Sequence, residues 1–319
     1  MLLDDGHKEM GTKQMASEPK AMNSAEWSLL VLLSVLWGGA FFFVGVAVTE
    51  LPPLTIVLAR VGMSGLILLF PFRFLGYSLP RGLRDWTPFI VMGLLINVLP
   101  FSLLNTGQTM ISSGLTSIMT GMTPLFTAIV MASFREERLT WNSVIGVLLG
   151  VAGVAIISWS GDAAADTHLL GIGLCLAGAL SYAFAALWGR RHLRNMPPLK
   201  SATCQLLSST LIMVAVVAVV DRPWTLPLPG AKIWLALGGL ALFGTAIAYI
   251  VFFEILSRAG ASNVMLVTLL IPVTALLLGN LFLGEPIFMH ELIGAATIGL
   301  GLLFIDGRLP RRMAHAVST

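Results

Sequence analysis

Charge is the scarcest feature of this sequence. Only 11% of its 319 residues are Asp, Glu, Lys or Arg, less than half of the roughly 25% typical of soluble domains. With 56% hydrophobic residues and a mean hydropathy of +0.89, water is excluded as the main solvent. Cysteine is almost absent as well. Cys175 and Cys204 both lie inside apolar runs, with no disulfide or metal-ligand spacing, and read as small packing residues. No Walker-type phosphate loop occurs, which argues against ATP drive in this chain. The formal charge is only +3. Lys and Arg sit in short stretches between apolar runs and not on one soluble face, so nucleic acid is not expected as a partner.

What is present is a series of apolar runs. A membrane-spanning helix needs about 20 mostly apolar residues. The runs at 27–48, 53–72, 86–105, 109–132, 141–159, 169–189, 201–220, 233–253, 262–282 and 288–306 meet that need. They are apolar all round, without the alternation of a barrel strand. The expected fold is therefore an all-α polytopic membrane protein of ten transmembrane helices. Residues 1–26 form a polar tail without the pattern of a cleavable signal, and residues 307–319 form a basic one.

The short connections are strongly biased in charge. Lys8, Lys13, Lys20, Arg73, Arg81, Arg84, Arg135, Arg138, Arg190, Arg191, Arg194, Lys200, Arg258, Arg308, Arg311 and Arg312 fall on one side. Only Arg222 and Lys232 fall on the other, and Arg60 lies within a run. Positive charge stays inside, so both termini are expected in the cytoplasm.

The chain also resembles itself. Pro124, Glu137, Gly146 and Gly153 recur as Pro272, Glu285, Gly294 and Gly301, and Trp86 and Phe101 meet Trp234 and Tyr249, all 148 residues apart. Upstream the spacing is 145: Pro52-Pro53 meets Pro197-Pro198, Trp37 meets Tyr182, and Arg60 meets Gln205. The expected units are residues 27–159 and 169–306, joined by a non-cytoplasmic linker at 160–168. Five helices per unit is an odd number, so the second unit enters the membrane reversed. Inverted five-helix repeats recur in secondary transporters, with the solute held near the midplane.

These features, with Leu36-Trp37-Gly38, the run from Gly114-Leu115-Thr116-Ser117 to Thr123-Pro124-Leu125-Phe126, and Gly284-Glu285-Pro286, resemble the EamA-type branch of the drug/metabolite transporter superfamily over roughly residues 27 to 306. The resemblance implies a basket of ten helices in the inner membrane that exports or exchanges amino acids, related metabolites or toxic compounds. The direction, efflux, comes from the resemblance alone, and neither the substrate nor the oligomeric state is encoded in a readable pattern. A monomer is compatible with everything seen.

Polar residues at membrane depth mark either a solute path or helix packing. Arg60 is the one charged side chain well inside a run. It can snorkel, bind lipid phosphate or pair within the bundle, or its five N–H donors can hold a substrate carboxylate or phosphate. Its repeat mate Gln205 is neutral. Trp37, Tyr182 and Tyr249 lie near helix centres, away from the interfacial belts, and Asn97 lies at similar depth; each is a candidate wall of a central site or a packing residue. Ser113, Thr116, Thr120, Thr123 and Thr127 share a face, either lining the site or bonding the preceding turn. Pro100, Pro124 and Pro272 are expected to kink their helices. Glu137 and Glu285 oppose a helix dipole. They are candidates for gating, for starting the next helix, or for pairing with a base such as Arg138.

No Asp, Glu or His falls near the middle of any expected span, and the histidines are expected in tails or loops. A central proton relay is hard to build from such a set, which leaves exchange, facilitated flow, or coupling through Glu137 or Glu285. The same set holds no paired Asp, no Ser with a His base and no His/Glu metal site for a membrane-embedded hydrolase. The sequence calls for no enzyme activity, cofactor or metal. A small-molecule carrier in contact with membrane lipid is the first reading, and a lipid translocator or receptor-like membrane protein is the alternative.

Overall fold

A computed structural model describes residues 22–158 and 165–305. It is all-helical among these residues. Eight helices are long and apolar enough to cross a membrane: α1 (Ser24–Ala47), α2 (Pro53–Phe74), α3 (Leu83–Gly107), α4 (Ser113–Ser133), α5 (Trp141–Ser158), α6 (Ala165–His192), α7 (Pro198–Val220) and α8 (Ala231–Ala259). Two shorter apolar helices follow, α9 (Val267–Leu283) and α10 (Met289–Ile305). Large apolar side chains such as Phe70, Leu148, Leu211, Leu235 and Leu281 remain exposed on the outside, as they do when the surrounding medium is hydrocarbon. The C-terminal tail and most of both the N-terminal tail and the expected linker lie outside the described residues.

The ends of the helices follow their capping residues more closely than their hydropathy. Helix α1 starts at Ser24, within the expected tail, because Asn23 accepts from the Glu26 amide and Glu26 accepts from the Asn23 amide at 2.9 and 2.8 Å, a reciprocal capping box. Helix α6 begins at Ala165, inside the expected linker, so it outlasts its apolar run at that end. Three histidines expected in loops or tails instead occupy helix ends: His168 and His192 on α6 and His290 on α10.

Several helices are not regular. The run expected at 109–132 divides at Gly121–Met122, directly before Pro124. Pro124 has no N–H to give the Thr120 carbonyl, and the Thr123 hydroxyl donates to that carbonyl instead at 2.7 Å. In the run at 262–282, the break falls at Met265–Leu266, where amide bonds tighten to three-residue spacing, and Pro272 sits inside α9 without stopping it. The two prolines thus occupy equivalent places in sequence, but only Pro124 adjoins a break. Helices α3 and α8 each contain a wide π turn, Leu94–Val98 and Leu242–Ile247, starting 148 residues apart. Pro100 follows the first, yet Ala248 stands in its place after the second. The wide turn therefore does not depend on proline.

Close backbone approach fixes the packing of α5 on α10. A Cβ on Gly146 would fall 2.6 Å from the Gly301 carbonyl, and one on Gly301 would fall 2.6 Å from the Gly146 carbonyl. Gly153 and Gly294 stand in the same reciprocal relation at 2.7 Å. Only glycine lets two backbones approach this closely, which in lipid replaces the hydrophobic drive that water would supply. Elsewhere α2 lies against α7, α1 against α8 and α9, and α6 against α3 and α4.

Candidate functional site

Arg60 lies in the first half of α2, seven residues beyond Pro53. Its Nε donates to the Thr245 hydroxyl at 3.1 Å and its Nη2 to the Gly244 carbonyl at 3.4 Å, both in the π turn of α8. The guanidinium lies over the Phe101 ring, 3.7 Å from its centroid, a geometry in which the ring face attracts the cation. Tyr182 of α6 and Tyr249 of α8 lie within its electrostatic reach and pack on the same cluster as Phe101, Val57, Val61 and Ala246. Gln205 of α7 is buried, and its side-chain Oε1 has no hydrogen-bond partner. Among the described residues no carboxylate forms an ion pair with Arg60. Arg60, Tyr182 and Tyr249 are each partly buried.

The structure therefore brings together Arg60, Tyr182, Gln205 and Tyr249, from both sequence units. The Trp37 ring lies against Phe252 at 5.6 Å, Phe252 packs on Phe253 and Phe253 on Tyr249, so a row of aromatic rings links Trp37 to the group. Asn97 is fully buried. Its amide donates to Ser209 at 3.0 Å, and its carbonyl oxygen has no partner. Ser113 and Thr116 are fully buried, and the hydroxyls of Thr116, Thr120, Thr123 and Thr127 each donate to a carbonyl three or four residues back. That is the backbone-bonding arrangement open to a hydroxyl stripe.

Sequence reasoning missed the scaffold beneath this group. Ser64 donates to the Arg60 and Ala241 carbonyls at 2.6 and 3.1 Å. Ser209 donates to the Gln205 and Gly93 carbonyls at 2.7 and 3.2 Å. Ser64 and Ser209 are 145 residues apart, Gly93 and Ala241 are 148 apart, and so are Asn97 and Thr245. Extending the self-comparison by a few residues would have found all three pairs. The acidic ends take partners that the sequence left open. Glu137 is bound not by Arg138 but by Arg190 of α6, while Glu136 meets Arg191 at 2.6 Å. Glu285 does not start the helix after it, but reaches Ser113 of α4. No group of three His, Cys, Asp or Glu side chains that could hold a metal occurs among the described residues.

The fold and the buried polar group define a polytopic α-helical membrane protein. The model of the EamA-like transporter family matches the chain twice, at residues 25–159 and 169–306, and the chain belongs to that family. An uncharacterized transporter of Archaeoglobus fulgidus is 26% identical over 286 residues, covering 88% of this chain and 98% of its own. The uncharacterized inner membrane transporter YedA of Escherichia coli is 25% identical, covering 86% of this chain and 89% of its own. The uncharacterized transporter YvbV of Bacillus subtilis is 25% identical, covering 91% and 94%. A crystal structure of a protein without further description shares the fold at a TM-score of 0.63 and 18% identity, covering 92% of this chain and 99% of its own.

Proposed function

We propose that this transporter is an ATP-independent carrier of a small metabolite bearing a carboxylate or phosphate, an amino acid or related compound being the best fit, which leaves the cell across the inner membrane by exchange or efflux. The observation that carries this reading is Arg60: a deeply placed cation, held by neutral groups and an aromatic face, with no carboxylate partner among the described residues. An unpaired buried charge is costly, and an anionic solute would offset that cost. Tyr182, Tyr249 and Gln205 supply further hydrogen-bonding groups around the same point.

Counting α9 and α10 as spans gives ten, arranged as two inverted five-helix repeats. Support comes from the paired hydrogen bonds of Ser64 and Ser209, the paired π turns, and the reciprocal contacts of Gly146 with Gly301 and Gly153 with Gly294. Alternating access follows as the two repeats rock about the Arg60 level. The charge bias of the connections supports cytoplasmic termini. The chain acts as a carrier and not as an enzyme, in keeping with its uncharacterized transporter relatives.

Purified protein is to be screened by thermal shift against metabolites, and the stabilising compounds tested for counterflow in proteoliposomes. Counterflow of an anionic or zwitterionic metabolite that fails in Arg60→Gln is the expected result. Lipid scrambling without counterflow would overturn the carrier reading, and anionic hits that bind Arg60→Gln as well as the parent would remove Arg60 from the site.

A further inference from the structure

The two ends of the helix bundle are joined by different chemistry. At one end, carboxylates of one sequence unit accept backbone N–H groups at helix starts of the other. Asp221, after α7, accepts from the Thr55 amide and hydroxyl at 2.8 and 2.7 Å, and Glu50, after α1, accepts from the Gly230 amide at 3.0 Å. Glu285 makes the most bonds of the three and the shortest single one. Both its oxygens accept from the Ser113 amide at 3.0 Å, and Oε2 also accepts from the Ser113 hydroxyl at 2.5 Å. Ser113 is the first residue of α4, and its amide is one of the donors that a helix start leaves without an intrahelical partner.

Glu285 is built into this position. Its amide donates to the Gly279 carbonyl at 3.1 Å and its carbonyl accepts from Asn280 at 2.9 Å, which leaves only the carboxylate to reach outward. Gly284, with φ of 67°, turns the chain to permit it. A Cβ on Gly279 would fall 2.3 Å from Glu285 Oε2 and 2.7 Å from Ser113 Oγ. The contact therefore needs a glycine at 279.

At the opposite end stands Glu137, the repeat mate of Glu285. It caps no helix start, but joins Glu136, Arg190 and Arg191 in a group of ion pairs whose arginines are 43% and 41% exposed. Exposed pairs are screened by solvent and hold weakly. Charge-assisted bonds to a buried residue hold more strongly.

We infer that the Glu285–Ser113 contact is the clamp that closes the non-cytoplasmic end of the carrier, and that it must break for the Arg60 site to open to that side. This rests on the alternating-access reading above. The clamp joins α9 of one unit to α4 of the other, next to where the Gly114 backbone packs on Leu276. Releasing it frees the two helices to part along that line.

The test reads accessibility and needs no substrate. A reporter thiol, Ser117→Cys, one turn below Gly114 and 1% exposed, is placed in full-length protein carrying Cys175→Ala and Cys204→Ala. Membrane-impermeant maleimide is then applied from each side of sealed vesicles. Glu285→Ala is expected to raise labelling from the non-cytoplasmic side about ten-fold, as fits loss of charge-assisted bonds. Ser113→Ala, which keeps the amide, should raise it about three-fold, and Glu137→Ala should leave it unchanged. Glu285→Gln replaces Glu285→Ala if the latter elutes as aggregate, and a rise is expected there too. Parent-like labelling in the folded Glu285 and Ser113 variants, or an equal rise in Glu137→Ala, would overturn the clamp. Failure to find a transported metabolite bears on the carrier reading and leaves the labelling result intact.

Discussion

The region around Arg60 and the region around Gln205 are built on the same backbone device and used differently. In each, a serine one turn along the helix donates both to the carbonyl of the residue that faces the interior and to a carbonyl just before a π turn on the neighbouring helix. The facing residues then diverge: a cation on α2 against a neutral amide on α7, with Phe101 in the first unit where Tyr249 stands in the second. Correspondence is kept where backbones are locked together in lipid, and lost at the side chains those backbones present. A second buried cation at this level would add a second desolvation cost.

The comparison can be broken most forcefully at the charge itself. Arg60→Gln makes the two regions alike and is expected to weaken binding of an anionic hit about a hundred-fold, measured by thermal-shift titration. Next is the glycine seam: Gly294→Ala pushes a methyl group within 2.3 Å of Ile157 and 2.7 Å of the Gly153 carbonyl. It should cost about 3 kcal/mol in reversible unfolding, as overpacking does. The third test exploits a place where the units differ. Gly93→Ala puts a Cβ 2.7 Å from both the Gln205 carbonyl and Ser209 Oγ and should cost about 2 kcal/mol, whereas Ala241→Gly, the reverse change at the equivalent place, should cost under about 1 kcal/mol. Smallest are Ser64→Ala and Ser209→Ala, about 1 kcal/mol each. Equal losses would sharpen the correspondence; a loss at one serine only would break it.

Much of this was legible beforehand. Eight of the ten apolar runs coincide with helices long enough to cross a membrane and the last two with shorter apolar helices, since a run in hydrocarbon has no other way to satisfy its backbone than as a helix. The spacings of 148 and 145 named Gly146, Gly153, Gly294 and Gly301, and depth alone singled out Arg60. The breaks were less accessible. Pro124 and Pro272 look equivalent on paper, yet only one adjoins a break, and the π turn of α8 has no proline to announce it. A π turn adds a residue to one turn and so shifts everything after it by roughly 100° around the helix. That shift decides which side chains face inward, and no periodicity count anticipates it.

The sequence by itself determined the solvent, the helical state of the apolar runs and the spacings at which residues recur, because these depend on composition and on order along one chain. Only the tertiary structure decided that Arg60 meets Thr245, Gly244 and Phe101, and that of two equivalent glutamates Glu285 caps Ser113 while Glu137 meets Arg190. The reason is reach. A side chain spans only a few ångströms, so its partner is set by which helices are adjacent and how each is rotated, and both depend on the glycine contacts and wide turns that the whole bundle must satisfy together.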